Sequence, residues 1–347
     1  MRALTVLPGT RSSLRLDEVA APPSADGHVL VATQAIGLCG TDHEICSGMY
    51  GTAPPGEERL ILGHESIGRI LEAPEGAGFA PGDWVVGIVR RPDPLPCANC
   101  AIGEWDMCKN GRYTERGIQA RHGFGSEQYR TEAEYLVKVA PALGLLGVLL
   151  EPASVVAKAW EHTARIGARA NWTPKRVLVT GGGPIGLLAA LLGTQLGLEV
   201  HVLDRVTDGP KPRLVQALGA SYHTGKLSEA GGDWDVVFEC TGASELVFEV
   251  MAAAAPDGIV CLTGVSSGGH TVSVDPGALN RELVLENNVV FGSVNANRRH
   301  YVQAATALAK ADPDWLEALI TRRVPVGQFQ AAFERQPGDV KTIVTFA

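Results

Sequence analysis

From Arg176 onward, short runs of β-branched and leucine residues alternate with stretches whose apolar positions recur at helical spacing. Residues 176–180, 199–203, 236–239, 259–263 and 289–293 predict strands, and residues 184–196, 212–218 and 244–254 predict helices between them. Alternation of this kind means a parallel sheet covered by helices on both faces. A helix over 300–311 follows, and residues 341–346 predict a last strand that returns to the N-terminal region.

The first 150 residues have another rhythm. Glycine and proline interrupt short β-rich runs at 28–35, 66–71 and 84–89, which predicts a compact, largely antiparallel β domain. The texture changes near Leu143. Residues 151–166 place Val155, Val156, Ala159, Trp160, Thr163 and Ile166 at helical spacing, with Pro152 suited to a first helical turn.

Length and composition narrow the class. A chain of 347 residues exceeds one comfortable core, so the length alone suggests roughly two domains. The 30 basic residues against 38 acidic ones, without a Lys/Arg run, argue against a nucleic-acid partner. The N-terminal apolar stretch is too short for a signal sequence and reads as a strand. The most apolar windows, near 142–150 and 185–198, fall short of the ~18 uninterrupted apolar residues of a membrane span. A soluble, cytoplasmic protein without membrane partners is expected. Seven cysteines without a secretion signal argue against a disulfide framework.

Two stretches carry candidate chemistry. The strand 176–180 runs into Gly181-Gly182-Gly183-Pro184-Ile185-Gly186, a GxGxxG that opens a helix. There the free N–H groups and the helix dipole suit a pyrophosphate. The next strand ends in Asp204, placed to hydrogen-bond ribose hydroxyls. Asp204 favours NAD, while Arg205 and Lys211 could accept the extra phosphate of NADP. Earlier, Cys39, His64 and Glu65 offer a thiolate, an imidazole and a carboxylate, a set that can hold zinc with one position open. Cys97, Cys100 and Cys108 crowd into a dozen residues and suggest a second metal lobe.

Cys39-Gly40-Thr41-Asp42, Gly63-His64-Glu65, the cysteine lobe and the late nucleotide fold, in this order, resemble the zinc-dependent medium-chain dehydrogenase/reductase superfamily. A finer likeness to its glucose dehydrogenase branch rests on Arg90-Arg91-Pro92, Glu115-Arg116-Gly117-Ile118, His122-Gly123-Phe124, Leu150-Glu151-Pro152 and Gly292-Ser293-Val294-Asn295. The resemblance implies an α/β protein with a GroES-like, mainly antiparallel β catalytic domain over 1–155 and 299–347. A Rossmann doubly wound parallel-sheet domain over 156–298 completes it. It implies a catalytic zinc held by Cys39, His64 and Glu65, with Glu151 as a further ligand, direct or through water. The alternative for Glu151 is a helix-terminal acid, and for Asp42 an orienting role stands beside a surface or capping one.

Thr41 would hydrogen-bond the reacting hydroxyl and pass its proton onward, to His43 or Glu44. A bland turn or strand role for Thr41 is the alternative. Glu115, Glu151, Asn295 and Thr41 would contact sugar hydroxyls, with His300 joining them or lying on the surface at a helix start. Thr241, Thr263, Gly264, Val265, Ser293, Val294 and Asn295 would add cofactor contacts. In the structural-zinc lobe the family's first cysteine falls on Pro94, so Asp93 is the candidate fourth ligand. The implied reaction is oxidation of D-glucose or a related aldose at C1 with NAD(P)⁺, in a homodimer or homotetramer. The alternatives are another polyol, cyclitol or secondary-alcohol dehydrogenase, and a nucleotide-binding relative without catalysis.

Overall fold

Val29–Gly37 alternates buried and half-buried positions, and the strand it forms removes Val29, Val31 and Ala35 wholly from water. Such a strand must satisfy its backbone on both edges. Glu65–Glu72 runs antiparallel along one edge. Gln128–Thr131 pairs with its first half and Thr342–Thr345 with its end. The sheet runs in the order Leu136–Lys138, Trp84–Gly87, Glu65–Glu72, Val29–Gly37, Thr342–Thr345, Arg322–Pro325. The last strand of the chain thus lies beside one of the first, as the sequence predicts. Register puts Gly37 opposite both Glu65 and Ile343, which sets Glu65 beside the C-terminal segment.

The computed structural model describes residues 1–269 and 271–346. They fall into two compact units, Met1–Ser154 with Asn295–Ala347, and Val155–Val294. The first also holds a sheet of Arg2–Val6, Arg15–Glu18 and Leu60–Ile61, and another of Arg90–Arg91, Thr114–Arg116 and Ala120–Arg121. Leu4, Val31, Ile36, Val85, Phe124 and Val344 centre its core.

The second unit is a six-stranded parallel sheet in the order Ser221–His223, Glu199–Leu203, Arg176–Thr180, Trp234–Glu239, Ala254–Leu262, Val289–Gly292. The order reverses beside Arg176–Thr180, the arrangement of a doubly wound dinucleotide fold. Its strands are nearly continuous apolar runs because both faces are covered, here by helices such as Pro184–Gln195.

One expected helix ends early. The 244–254 reading becomes a helix Ser244–Met251, and Ala254 already belongs to a strand. Pro256 explains it, since it disfavours α conformation at Ala255 and lacks an amide hydrogen. The strand Ser221–His223 and the helix Pro276–Leu285 were not expected. The helical run Pro141–Gly167 is long and apolar enough to cross a membrane by length and composition, and 72% of its most apolar window is buried inside the protein. It reads as a core helix.

Candidate active site

Two residues past the strand Val29–Gly37, the chain turns into the helix Gly40–Cys46, with Cys39 as its N-cap. The Cys39 Sγ accepts from Thr41 N at 3.3 Å, and the Asp42 carboxylate accepts from Cys39 N at 2.9 Å, a reciprocal cap that fixes the thiol's direction. Asp42 is fully buried, and its other oxygen lies 3.5 Å from His64 Nδ1. One carboxylate therefore holds the backbone of one expected ligand and faces the ring of another. Of the roles open to Asp42, capping is realised and the surface role is excluded, while its second oxygen faces the ring that the orienting role concerns. Thr41 lies in a helix, in neither a turn nor a strand.

The His64 Nε2 sits 3.0 Å from Cys39 Sγ, and ligand atoms of Cys39, His64 and Glu65 all lie within 4.8 Å of one another. Burial disfavours a charged His64 ring, but Cys39 and Asp42 outweigh it and hold the imidazole well above its ordinary pKa. A thiol, an imidazole and a carboxylate converging in a buried place are the donor set zinc takes, and a cation there would offset the buried anions. The residues fit the metal.

Lys341 was not singled out from the sequence. Fully buried, it forms an ion pair with Glu65 and donates to Leu38 O at 3.0 Å. Against the effect of burial, Glu65 and then Cys39 raise its pKa and keep it charged. Gly37 makes the room, since a β-carbon there would collide with Glu65 and Lys341. Glu65 thus pairs with Lys341 while a carboxylate oxygen of it stays within 4.8 Å of the Cys39 and His64 ligand atoms.

Glu151 stands in the first turn of Leu150–Gly167, nearly buried. Burial, opposed by His64 and reinforced by Glu65, raises its carboxyl to about 7. It lies in the electrostatic field of this cluster but outside the trio whose ligand atoms converge. The His43 ring meets Phe333 edge-on at 5.8 Å. Burial, then the Arg335 charge, hold it below its ordinary pKa, against the pull of Asp42, so it is neutral and able to take a proton.

Glu115 and Asn295, 180 residues apart in sequence, are joined by a 2.7 Å hydrogen bond from Asn295 Nδ2 to Glu115 Oε1. Arg90 donates to the same oxygen at 2.9 and 3.1 Å. That leaves Glu115 Oε2 as the freer acceptor. Asn295 takes a left-handed backbone, φ 61°, which asparagine tolerates better than most side chains. His300 is wholly buried, and its Nδ1 accepts from Asn297 N at 3.2 Å, closing the cap of Arg298–Lys310. The expected surface alternative for His300 is therefore corrected.

The second cluster is partly as expected. Sulfurs of Cys97, Cys100 and Cys108 converge within 4.8 Å, and Lys109 N and Cys100 N are foremost in lowering the Cys97 thiol to about 6. Asp93 does not join them. Its oxygens accept from Leu95 N at 2.8 Å and from Arg112 Nε at 3.3 Å, which takes the carboxylate away from the sulfurs. Three donors do not complete a tetrahedral structural site.

In the second unit the expected cofactor residues other than Asn295, which belongs to the first, gather at the C-terminal ends of the parallel strands, where such sheets bind ligands. Gly181 has φ +91°, and a β-carbon on Gly186 would strike Gly181 O. Gly183 caps the helix Pro184–Gln195, with Pro184 and Ile185 in its first turn. Asp204 accepts from Gly182 N at 2.6 Å, Val206 N at 2.9 Å and Lys211 Nζ at 2.9 Å, while Arg205 is exposed. Thr241, Thr263, Gly264 and Val265 line the neighbouring loops, with Val265 and Val294 exposed and Ser293 buried. Glu239, also unexpected, organises them. Wholly buried, it accepts from Thr241 N at 2.8 Å and Thr180 Oγ1 at 3.2 Å. The signal was an acid closing an apolar strand.

Comparison with known proteins follows this division. Residues 25–141 match the alcohol dehydrogenase GroES-like domain, and residues 144–346 match the glucose dehydrogenase C-terminus. Glucose 1-dehydrogenase of Methanocella arvoryzae is 39% identical over 99% of both chains, and that of Thermoproteus tenax is also 39% identical over 99% of both. The structure of Haloferax mediterranei glucose dehydrogenase in complex with NADP, Zn and gluconolactone superposes with a TM-score of 0.92 at 33% identity, covering 100% of this chain and 99% of that one. The chain belongs to the glucose dehydrogenase branch of the zinc-dependent medium-chain dehydrogenases, with a GroES-like and a Rossmann-like fold.

Proposed function

We propose that this enzyme oxidises an aldose at C1, D-glucose to D-glucono-1,5-lactone first among them, with reduction of a nicotinamide dinucleotide. The observation that carries the reading is the pairing, in one compact unit, of the Cys39–His64–Glu65 trio with the bonded Glu115–Asn295 pair. Acids and amides suit a polyhydroxylated substrate, whereas a simple alcohol would want an apolar pocket. The gluconolactone held by the Haloferax mediterranei enzyme supports the same substrate class.

Zinc held by Cys39, His64 and Glu65, with Glu151 as a further donor, would act as a Lewis acid on the reacting hydroxyl and lower its pKa. Glu115 Oε2 and Asn295 would orient the sugar by its other hydroxyls. The Thr41 hydroxyl, with no protein partner among the described residues, receives the substrate proton and hands on its own, and neutral His43 is the acceptor. Asp42 keeps the Cys39 loop and the His64 ring aligned throughout. Lys341 gives the Glu65 carboxylate an alternative partner, so that it can exchange with water or substrate. A nicotinamide dinucleotide held by the glycine loop would supply the hydride acceptor.

NAD is favoured and NADP accepted in this reading. Asp204 suits a ribose diol, Lys211 offsets part of its charge, and exposed Arg205 is available to a 2′-phosphate. The edge strand Val289–Gly292, without a further strand on its outer side among the described residues, and the helix Pro276–Leu285, which buries no residue, support a homodimer or homotetramer. A steady-state screen of aldoses, polyols and simple alcohols with each cofactor tests the proposal. Turnover of an aliphatic alcohol with none on glucose, xylose or galactose would end the sugar reading. Activity that survives chelation, with zinc well below one equivalent per chain, would end the metal reading.

A further inference from the structure

The first unit contains a cavity of about 480 Å³ that plays no part in the proposed reaction. Val19, Pro22, Pro23, Pro54 and Ile61 give it apolar walls, and four arginines, Arg59, Arg116, Arg121 and Arg130, reach it. Two of the four are neutralised, Arg59 by Asp17 at 3.3 Å and Arg130 by Glu72 at 2.9 Å. The other two form no ion pair among the described residues.

Arg116 is almost wholly buried. It donates to the carbonyls of His122 at 3.3 Å and Arg130 at 2.7 Å, and Nε has no acceptor. Burial and then the Arg121 charge lower its pKa to about 10, against the opposing charges of Glu132 and Asp26. Arg121 is half-buried, and its Nε donates to Thr114 Oγ1 at 3.1 Å. Its terminal nitrogens have no protein partner among the described residues. Two further acids line the cavity: Asp26, whose charge acts on Arg116, and Glu57, which accepts from His122 Nε2 at 2.7 Å, while His122 Nδ1 accepts from Ile61 N at 3.2 Å. Glu57 is therefore already engaged. Buried guanidinium without a counter-ion is costly, and an anion in the cavity would remove the cost.

We infer that this cavity binds an oxyanion group, phosphate or carboxylate, through the free fork of Arg121 in the positive field of Arg116. The apolar walls suit a ligand with a carbon body behind that group. Occupancy would be felt by the substrate, because Glu115 adjoins Arg116 and Gly117 packs directly on the backbone of Gly63, next to His64.

The test is calorimetric titration of the zinc-loaded enzyme with inorganic phosphate and, separately, acetate, at fixed ionic strength. Saturating NADP is present, so that the glycine loop is not a competing anion site. The wild type should bind at least one anion, and Arg121→Gln should weaken that binding by about tenfold or more. The KM for the sugar should move with the anion in the wild type and stay still in the variant. If neither anion binds, or if Arg121→Gln binds both as the wild type does, the inference fails. Should that variant not fold, Arg121→Lys keeps the charge but loses the fork. A weakening of about threefold or more is then expected, and unchanged affinity again overturns the site.

Discussion

Two clusters of metal-type side chains share the first unit, and their supports differ. Cys39, His64 and Glu65 come from strand and helix ends, and each is held by a residue with a second task. Asp42 caps the Cys39 turn while it faces His64, and Lys341 pairs with Glu65 from the far end of the chain. Cys97, Cys100 and Cys108 come from one short stretch of chain, around the helix Ala98–Ala101, and the partners of Cys97 are amides of that same stretch and its next residue, Lys109. The expected fourth ligand, Asp93, is engaged elsewhere. The first cluster is built by tertiary structure before any metal arrives, and the second by local chain alone. Function should therefore be sensitive to remote supports of the first and tolerant of direct damage to the second.

The largest expected effect is that of Cys39→Ala. Loss of one donor should cut kcat/KM by at least about a thousandfold, several kcal/mol of charge stabilisation, with zinc content falling in parallel. A variant that kept both would break the contrast at its root. Lys341→Met comes next. It strands the buried Glu65 carboxylate and should lower unfolding free energy by about 3–5 kcal/mol, measured in denaturant on the zinc-free protein. Asp42→Asn keeps an oxygen for the cap but loses the charge facing His64. Zinc affinity, measured by chelator competition, should fall by about 10–100-fold. Smallest is Cys97→Ser, for which kcat/KM should stay within about threefold and zinc at about one equivalent per chain. A collapse of activity there would show that the loop supports the catalytic centre after all.

Much of this architecture can be read before folding, for identifiable reasons. Arg176–Thr180 and Glu199–Leu203 begin and end where the sequence predicts, because strands covered on both faces are apolar throughout and glycines or acids punctuate them. Pro276–Leu285 escaped because it buries no residue and so shows no apolar period, although Asp275 before Pro276 is a helix-start signal and does cap Gly277 and Ala278. Cys39, His64 and Glu65 were visible as chemistry. Lys341 was not, since a lone lysine before an apolar strand looks like any surface charge, and only the pairing of Ile343 with Gly37 brings it to Glu65. The bond between Glu115 and Asn295 likewise depends on two distant segments, so resemblance suggested their shared role while spacing could not.

The insertion of Thr342–Thr345 beside Val29–Gly37 also has a temporal meaning. Residues 39 to 65 are made early in synthesis, but their ammonium partner leaves the ribosome some 300 residues later. Until that strand docks, the Glu65 carboxylate is without its counter-charge, and the sheet next to it has an open edge. Until Lys341 and the strand that follows it are in place, the nascent chain is therefore unable to present a finished reaction centre, and docking of Thr342–Thr345 is a condition of catalytic competence.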